Sequence, residues 1–300
     1  MFNFQKILDF LIPRRCAGCG EADEAFCAIC RKASFQKGAG CLLCGFRNNT
    51  GEFCSDCRRK RKSDFPLEVG LPNSLKSVLW AGRYDGELKK AIWELKYGKR
   101  REIAKPLAGM MAEKFFEVIG GSLPSQQFAR HGYFSAKKFL VLAPSRSQGP
   151  EKYMPSTKFR DSGTKPSALP NFLAIPIPLH FKRQYERGFN QAELLAREFS
   201  KITGIAMRND ILKKIKETPA QVEVQNKELR LKNLENAFEV SLPPHRPSLL
   251  RRGAEGGVVL EKTIILIDDV STTGATLMHA ATALKNAGAK EIVGFVVAHG

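Results

Sequence analysis

No stretch of these 300 residues approaches the roughly 18 consecutive apolar residues that cross a bilayer, so a membrane-spanning helix is not expected. Acidic residues are scarce. Against 48 Lys plus Arg stand 30 Asp plus Glu, a formal net charge of +18. That excess favours a polyanionic partner: nucleic acid, a phosphorylated ligand or an acidic membrane surface. Charge alone does not choose among them. Cysteine is absent beyond residue 57, which confines sulfur chemistry to the N-terminal part. The five histidines show no metal-ligand spacing, and His180 and His279 read as structural or surface residues rather than bases. The opening, MFNFQKILDFLIPRRC, is apolar enough to resemble a signal peptide, but Asp9 interrupts it and no small-residue cleavage site follows, so it reads as retained. With 43% hydrophobic and 26% charged residues the chain is a folded one, long enough for two domains.

The eight cysteines form four C-x-x-C pairs: Cys16/Cys19, Cys27/Cys30, Cys41/Cys44 and Cys54/Cys57. A two-residue gap lets both thiolates of a knuckle face one ion, and four soft sulfurs in a tetrahedron are the preferred surroundings of structural Zn2+. Disulfides or redox chemistry are the competing uses. Two closed four-sulfur sites account for every cysteine and leave no open position for catalysis. Sequential pairing puts the first four on one ion and the last four on another; an interleaved cross-brace uses the same residues. With only seven residues between Cys19 and Cys27, the first ribbon is short and is expected to be the weaker site. So small a module needs the metal to hold together. The basic run Arg58-Arg59-Lys60-Arg61-Lys62 just beyond reads either as a solvated linker or as a nucleic-acid contact.

The expected organisation is an N-terminal helix and double zinc ribbon over 1–62, a Pro- and Gly-punctuated linker over 63–74, and a larger domain over 75–300. From Ser74 to about Gly120 the pattern is helical, with Leu88, Ile92 and Leu95 on one face and Ile103, Leu107, Met110 and Met111 on the next. Residues 121–170 and 243–257 are rich in Ser, Pro, Gly and basic residues and read as inserts, largely disordered. The first insert is expected to precede the first strand of the sheet. Strands are expected at 173–179, 263–268 and 291–298; Pro176 and Pro178 are awkward for a central strand. Helices are expected at 190–202, with Asn190 and Glu193 as a capping box, and at 276–288. Strand–helix–strand spacing of this kind makes an α/β fold with a parallel sheet flanked by helices.

Ile264 to Ile267 lead into Asp268 and Asp269, then Val270, Ser271, Thr272, Thr273, Gly274, Ala275 and Thr276. A buried strand emptying into a Thr/Gly loop at a helix start suits a phosphate monoester. Outward-pointing backbone N–H groups, the helix dipole and the hydroxyls all favour an anion there. Two adjacent carboxylates suit ribose hydroxyls or a metal-bound diphosphate instead. Lys182, Arg183 and Arg187 follow a strand end, where a diphosphate would sit opposite the loop.

TIILIDDVSTTGAT resembles the 5-phosphoribosyl-1-pyrophosphate (PRPP) motif of type I phosphoribosyltransferases. The resemblance implies that Asp268 and Asp269 contact ribose hydroxyls and that residues 271–276 hold the 5′-phosphate, with Mg2+ accompanying PRPP. IPIPLHFKRQYERGFNQAELLA (175–196), AGRYDGELKKAIWELKYGKR (81–100) and the segment 218–238 are similar to the ComF family of competence-associated proteins. Membership implies a cytoplasmic protein that handles incoming single-stranded DNA during transformation, with competence-machinery proteins as partners. It also implies that Lys96 and Tyr97 belong to a hood over an acceptor, and that Gln221, Arg230 and Asn233 lie in a mobile loop closing over PRPP. Tyr84, Trp93 and Tyr97 are the aromatics interleaved with basic residues. The alternative is a salvage enzyme transferring phosphoribosyl from PRPP to an unidentified acceptor.

Overall fold

The computed structural model describes residues 14–22, 24–36, 39–40, 47–48, 55, 74–119, 169, 171–217, 236–241, 251–252 and 258–300. Helix α1 (Ala28–Ser34) is followed by two short paired strands, β1 (Ala39–Gly40) and β2 (Arg47–Asn48). Next come β3 (Ser77–Arg83), α2 (Gly86–Lys96), a 3-10 turn (Arg101–Ile103), α3 (Ala104–Ile119), β4 (Phe172–Pro176), α4 (Phe181–Arg187) and α5 (Gln191–Thr203). The chain continues through β5 (Ala206–Met207), β6 (Leu212–Lys214), β7 (Phe238–Val240), β8 (Arg251–Arg252), β9 (Val258–Ser271), α6 (Ala275–Asn286) and β10 (Ala289–His299).

Strands β3-β10-β9-β4-β5, in that order, form a parallel sheet, and β8 adds antiparallel to β9. Side chains alternate between its two faces. Ile265, Ile267, Phe295 and Val297 pack under α2, α3 and α5; Ile264, Leu266 and Val296 pack with α6 and the β6–β7 hairpin. Both faces are therefore covered, as a parallel sheet requires.

Two expectations change. The helical pattern read from Ser74 onward contains a strand, SVLWAGR, in its first part. Six of its seven residues are buried, because helices cover both faces, so it shows no alternation to give it away. The sheet thus begins before the first insert, which lies between α3 and β4 rather than ahead of the first strand. Pro176 is tolerated because it is the last rung of β4, opposite Ile267; the Ile177 N–H then donates to the Ile267 carbonyl at 2.8 Å. Asn190 caps α5 by accepting from the Ala192 N–H at 3.1 Å, and its amide donates to the Ile177 carbonyl at 3.0 Å. Glu193 bonds Arg197 and Asn209 instead of completing a capping box.

The cysteine-bearing segment is docked on the sheet domain. Phe26 is fully buried in one cluster with Leu88, Ala91 and Met111. The Gln36 N–H donates to the Ala81 carbonyl at 2.8 Å, and Arg100 donates to the Arg15 carbonyl at 2.6 Å. Lys114, fully buried on α3, donates to the Gln36 carbonyl and pairs with Glu117 at 2.8 Å. Gly82 allows the close approach: a Cβ there would sit 2.4 Å from the Ser34 carbonyl oxygen. Residues 63–73 of the linker, the run Arg58–Lys62 and most of both inserts lie outside the described residues; within the second insert, Arg251 and Arg252 form β8.

Candidate functional site

Strand β4 leads through α5 to β5 on one side of the sheet, whereas β9 leads through α6 to β10 on the other. The carboxyl ends of β4 and β9 therefore flank the point where strand order reverses, the crevice in which open α/β sheets bind ligands. Asp268 and Asp269 sit at the end of β9, and pleating sends them to opposite faces. Asp269 is buried on the helix α2 face, where Lys96 Nζ reaches its Oδ1 at 2.9 Å. Burial works against the Lys96 charge, but attraction to Asp269 and Asp268 outweighs it and holds Lys96 above the ordinary lysine value.

Asp268 faces the other layer. Burial, then the neighbouring Asp269 charge, push it up from 3.8 to about 7, opposed by a 2.8 Å bond from the Asp269 N–H and by Lys96 and Lys214. Lys214 ends β6, and burial and the nearby Arg183 guanidinium bring it down to about 8. The pair thus stands between two cations delivered by separate elements, α2 and the hairpin. Sequence reasoning missed Lys214, since a lysine in a three-residue strand carries no signal of its own. It assigned Lys96 to a hood over an acceptor; the structure places its ammonium on Asp269.

Beyond the acids the chain turns at Ser271–Gly274 into α6. Gly274 caps the helix with φ 72°, a left-handed conformation that glycine adopts without strain. As the N-cap, Gly274 offers no side chain to the helix start, and the Ala275 N–H donates to Thr273 Oγ1 at 3.4 Å. Ser271 Oγ and Thr272 Oγ1 are buried without a hydrogen-bond partner. Such groups are costly to bury unless something pairs with them. The Ser271 carbonyl is held by the Gly300 N–H at 3.1 Å and by His299 Nδ1 at 2.8 Å, which fixes the loop to the end of β10. Residues 268, 269 and 271–276 thus run from the carboxyl end of β9 into α6, beside the point where strand order reverses.

The three basic residues after β4 diverge. Lys182 pairs with Glu217 at 2.5 Å on the surface, while Arg183 lies close enough to Lys214 to depress it. Arg187 turns to α2: its guanidinium lies 5.2 Å from the Tyr97 ring centre and donates to Gln191 Oε1 at 3.1 Å. His180 is buried with its ring centre 4.4 Å from that of Phe181 at a 44° tilt, and His279 is buried on α6. Gln221, Arg230 and Asn233 lie outside the described residues.

In the N-terminal segment the sulfurs of Cys16, Cys19, Cys27 and Cys30 all lie within 4.8 Å of one another. A Zn–S bond of about 2.3 Å implies tetrahedral S–S edges of about 3.8 Å; Cys19 and Cys27 are 3.8 Å apart. Burial opposes the Cys16 thiolate, but N–H groups, Cys27 foremost at 3.3 Å, bring it down to about 6. Burial and the neighbouring sulfurs push Cys30 well above the usual thiol range, the repulsion a cation would remove. The donor set fits a structural zinc ion, and the four sulfurs are the sequential first set. Cys30 comes from the first turn of α1, and Gly18 leaves room for its sulfur, which a Cβ would meet at 2.9 Å. Cys41, Cys44, Cys54 and Cys57 lie outside the described residues.

The chain matches two family models, a double zinc ribbon domain over residues 7–58 and a phosphoribosyl transferase domain over residues 186–300. It is 24% identical to DNA utilization protein YhgH of Salmonella typhi over 267 residues, 89% of this chain and 86% of that protein. It is 36% identical to Competence protein F of Haemophilus influenzae over 118 residues, 39% of this chain and 46% of that protein. The chain carries a double zinc ribbon and a phosphoribosyl transferase domain and resembles the ComF family. Competence protein ComFC of Bacillus subtilis is 35% identical over 121 residues, 39% of this chain and 40% of that protein. The chain thus aligns with less than half the length of the competence-named relatives. In this ComF-like chain the phosphoribosyl transferase match begins at Glu186 and takes in β9, the Thr/Gly loop and α6. It leaves out β3, α2 and hence Lys96. Among the described residues no helix is long and apolar enough to cross a membrane.

Proposed function

We propose that the crevice between β4 and β9 binds PRPP or a closely related phosphorylated ribose, and that the protein serves in the cytoplasmic handling of single-stranded DNA during uptake. The observation that carries the first part is the pair of buried hydroxyls, Ser271 Oγ and Thr272 Oγ1, left without partners beside an uncapped helix start. A phosphate monoester supplies the acceptors that these two hydroxyls lack, at a helix start whose dipole favours an anion. Residues 271–276 then hold the 5′-phosphate, and Asp268 and Asp269 accept hydrogen bonds from the ribose hydroxyls. Lys96 pairs with Asp269 at 2.9 Å and holds it in place for that role. Arg183 and Lys214 face a diphosphate on the hairpin side, and Arg187 stands at the α2 side of the mouth. When bound, Mg2+ supplies charge neutralisation of the diphosphate.

The second part rests on what the relatives' names say of them, competence and DNA utilization, and on the charge of +18. Several Lys/Arg–phosphate contacts give salt-dependent, sequence-independent affinity. The acid pair also favours an enzymatic reading, in which the anomeric C–O bond breaks, diphosphate leaves and an acceptor takes the ribose. The carboxylates would steady the developing positive charge. Calorimetric titration with PRPP and Mg2+ tests the site. Thr272→Ala is expected to weaken binding by about tenfold to a hundredfold, the worth of one hydrogen bond to a charged group. Absence of PRPP binding to zinc-loaded wild-type protein would overturn the site, and release of diphosphate with any of a set of acceptors would favour the enzyme.

A further inference from the structure

Helix α2 carries two large aromatic residues on its surface, Trp93 and Tyr97, with about half of each exposed (53% and 52%). Four residues apart, they meet at 5.5 Å between ring centres and an angle of 48°. Self-packing of such a pair explains their mutual contact but not their exposure. The pair extends into a third plane. Arg187, from α4, lays its guanidinium 5.2 Å from the Tyr97 ring centre and is braced by Gln191. One residue before Tyr97, Lys96 touches Asp269. The row Trp93–Tyr97–Arg187 therefore starts at the rim of the acid pair and runs outward along α2.

Its surroundings are cationic. Residues 76–105 contain nine basic and four acidic residues. Lys89 stands one turn before Trp93, and Lys99 lies two residues beyond Tyr97, both exposed. Flat, half-exposed π-faces within a basic border match the bases and phosphates of an unpaired strand. Paired bases in a duplex would not offer their faces.

We propose that Trp93, Tyr97 and Arg187 form a stacking row for the bases of single-stranded DNA, delivering the strand to the rim of the Asp268/Asp269 crevice. The proposal rests on the DNA-handling reading above and adds the residues and the mode of contact. Bases stack on the two rings and on the guanidinium plane, while Lys89 and Lys99 meet the phosphates. Stacking is largely insensitive to salt, so this contribution persists when phosphate contacts are screened.

The two tryptophans make the test direct. Trp80 is buried in the sheet and packs on His299 at 4.8 Å, so only Trp93 can be quenched by a bound base. The zinc-loaded full chain is titrated with an oligothymidylate of about twelve nucleotides, with the same strand made abasic, and with polyglutamate of equal charge. The expected result is quenching by the thymidylate and an affinity about tenfold above that of the abasic strand, a ratio that holds while both affinities fall with salt. Trp93→Phe keeps a smaller stacking ring and is expected to lose the signal and weaken thymidylate binding only a few-fold, and Trp93→Ala with Tyr97→Ala to weaken it toward the abasic level. Equal affinity for the thymidylate and abasic strands overturns the stacking row while leaving DNA binding intact. Equal affinity for polyglutamate assigns the face to an acidic protein partner and overturns it too. If none of the three binds, the DNA-handling reading falls and the row falls with it.

Discussion

Replacing Asp268 by Asn is expected to stabilise the fold while disabling the site. In the folded chain Asp268 is held at about 7 against an ordinary 3.8, by burial first and the Asp269 charge second. A carboxyl raised in the folded state contributes stability that is fully present below the unfolded value. That contribution is lost as pH rises through the folded value, because the unfolded chain releases its proton earlier. The loss therefore runs from about pH 4 to pH 7 and is complete above it. About three pH units at 1.36 kcal/mol each give about 4 kcal/mol. The partial opening of Asp268 to the crevice and the sharing of charge with Asp269 reduce this to about 2–3 kcal/mol. Urea unfolding of wild type and Asp268→Asn at pH 4.5 and pH 8 measures it. The variant is expected to gain about 2–3 kcal/mol relative to wild type between the two pH values, and to lose PRPP affinity at both. Parallel pH profiles for the two proteins would refute the placement of Asp268 in an unfavourable environment.

Three other outcomes follow from the same geometry. Lys96→Met removes the cation 2.9 Å from a buried carboxylate and is expected to cost about 3 kcal/mol, most of it recovered in the double variant with Asp269→Asn; additive losses in urea unfolding would show the pair to be uncoupled. Chelation, or Cys30→Ser, is expected to release zinc and lower the melting temperature of the whole chain, because Phe26 and the sulfurs share one core with α2 and α3; calorimetry that shows an unchanged main transition would contradict that shared core. Gly82→Ala places a Cβ 2.4 Å from the Ser34 carbonyl and 2.6 Å from Leu88 and is expected to destabilise by about 2 kcal/mol and speed proteolysis at the N-terminal segment, whereas wild-type resistance would mean the contact is slack.

The motif-bearing elements were legible because each carries a local cause. Ile264–Ile267 is an apolar run that only burial explains, Gly274 sits where the chain must turn left-handed, and C-x-x-C spacing is a chelating geometry whatever surrounds it. Asn190 announced its helix by the same logic, though its partner Glu193 was drawn away by Arg197 and Asn209. Strand β3 was not legible, since burial on both faces erased its alternation and left it continuous with the helical pattern that follows.

The sequence by itself determined the α/β class, the acid pair, the Thr/Gly loop and the four C-x-x-C pairs, because these depend on neighbours within a few residues. Only the tertiary structure decided what stands opposite them. Lys96 and Lys214, far apart in the chain, flank one carboxylate pair because the sheet order reverses between β4 and β9. Arg187, read from sequence as a diphosphate ligand, packs on Tyr97 because α4 leaves β4 toward α2. The first cysteine set closes although its loop is short, because Phe26 and Gly18 fit it to the domain beneath. Such long-range contacts arise from packing, which no local pattern encodes.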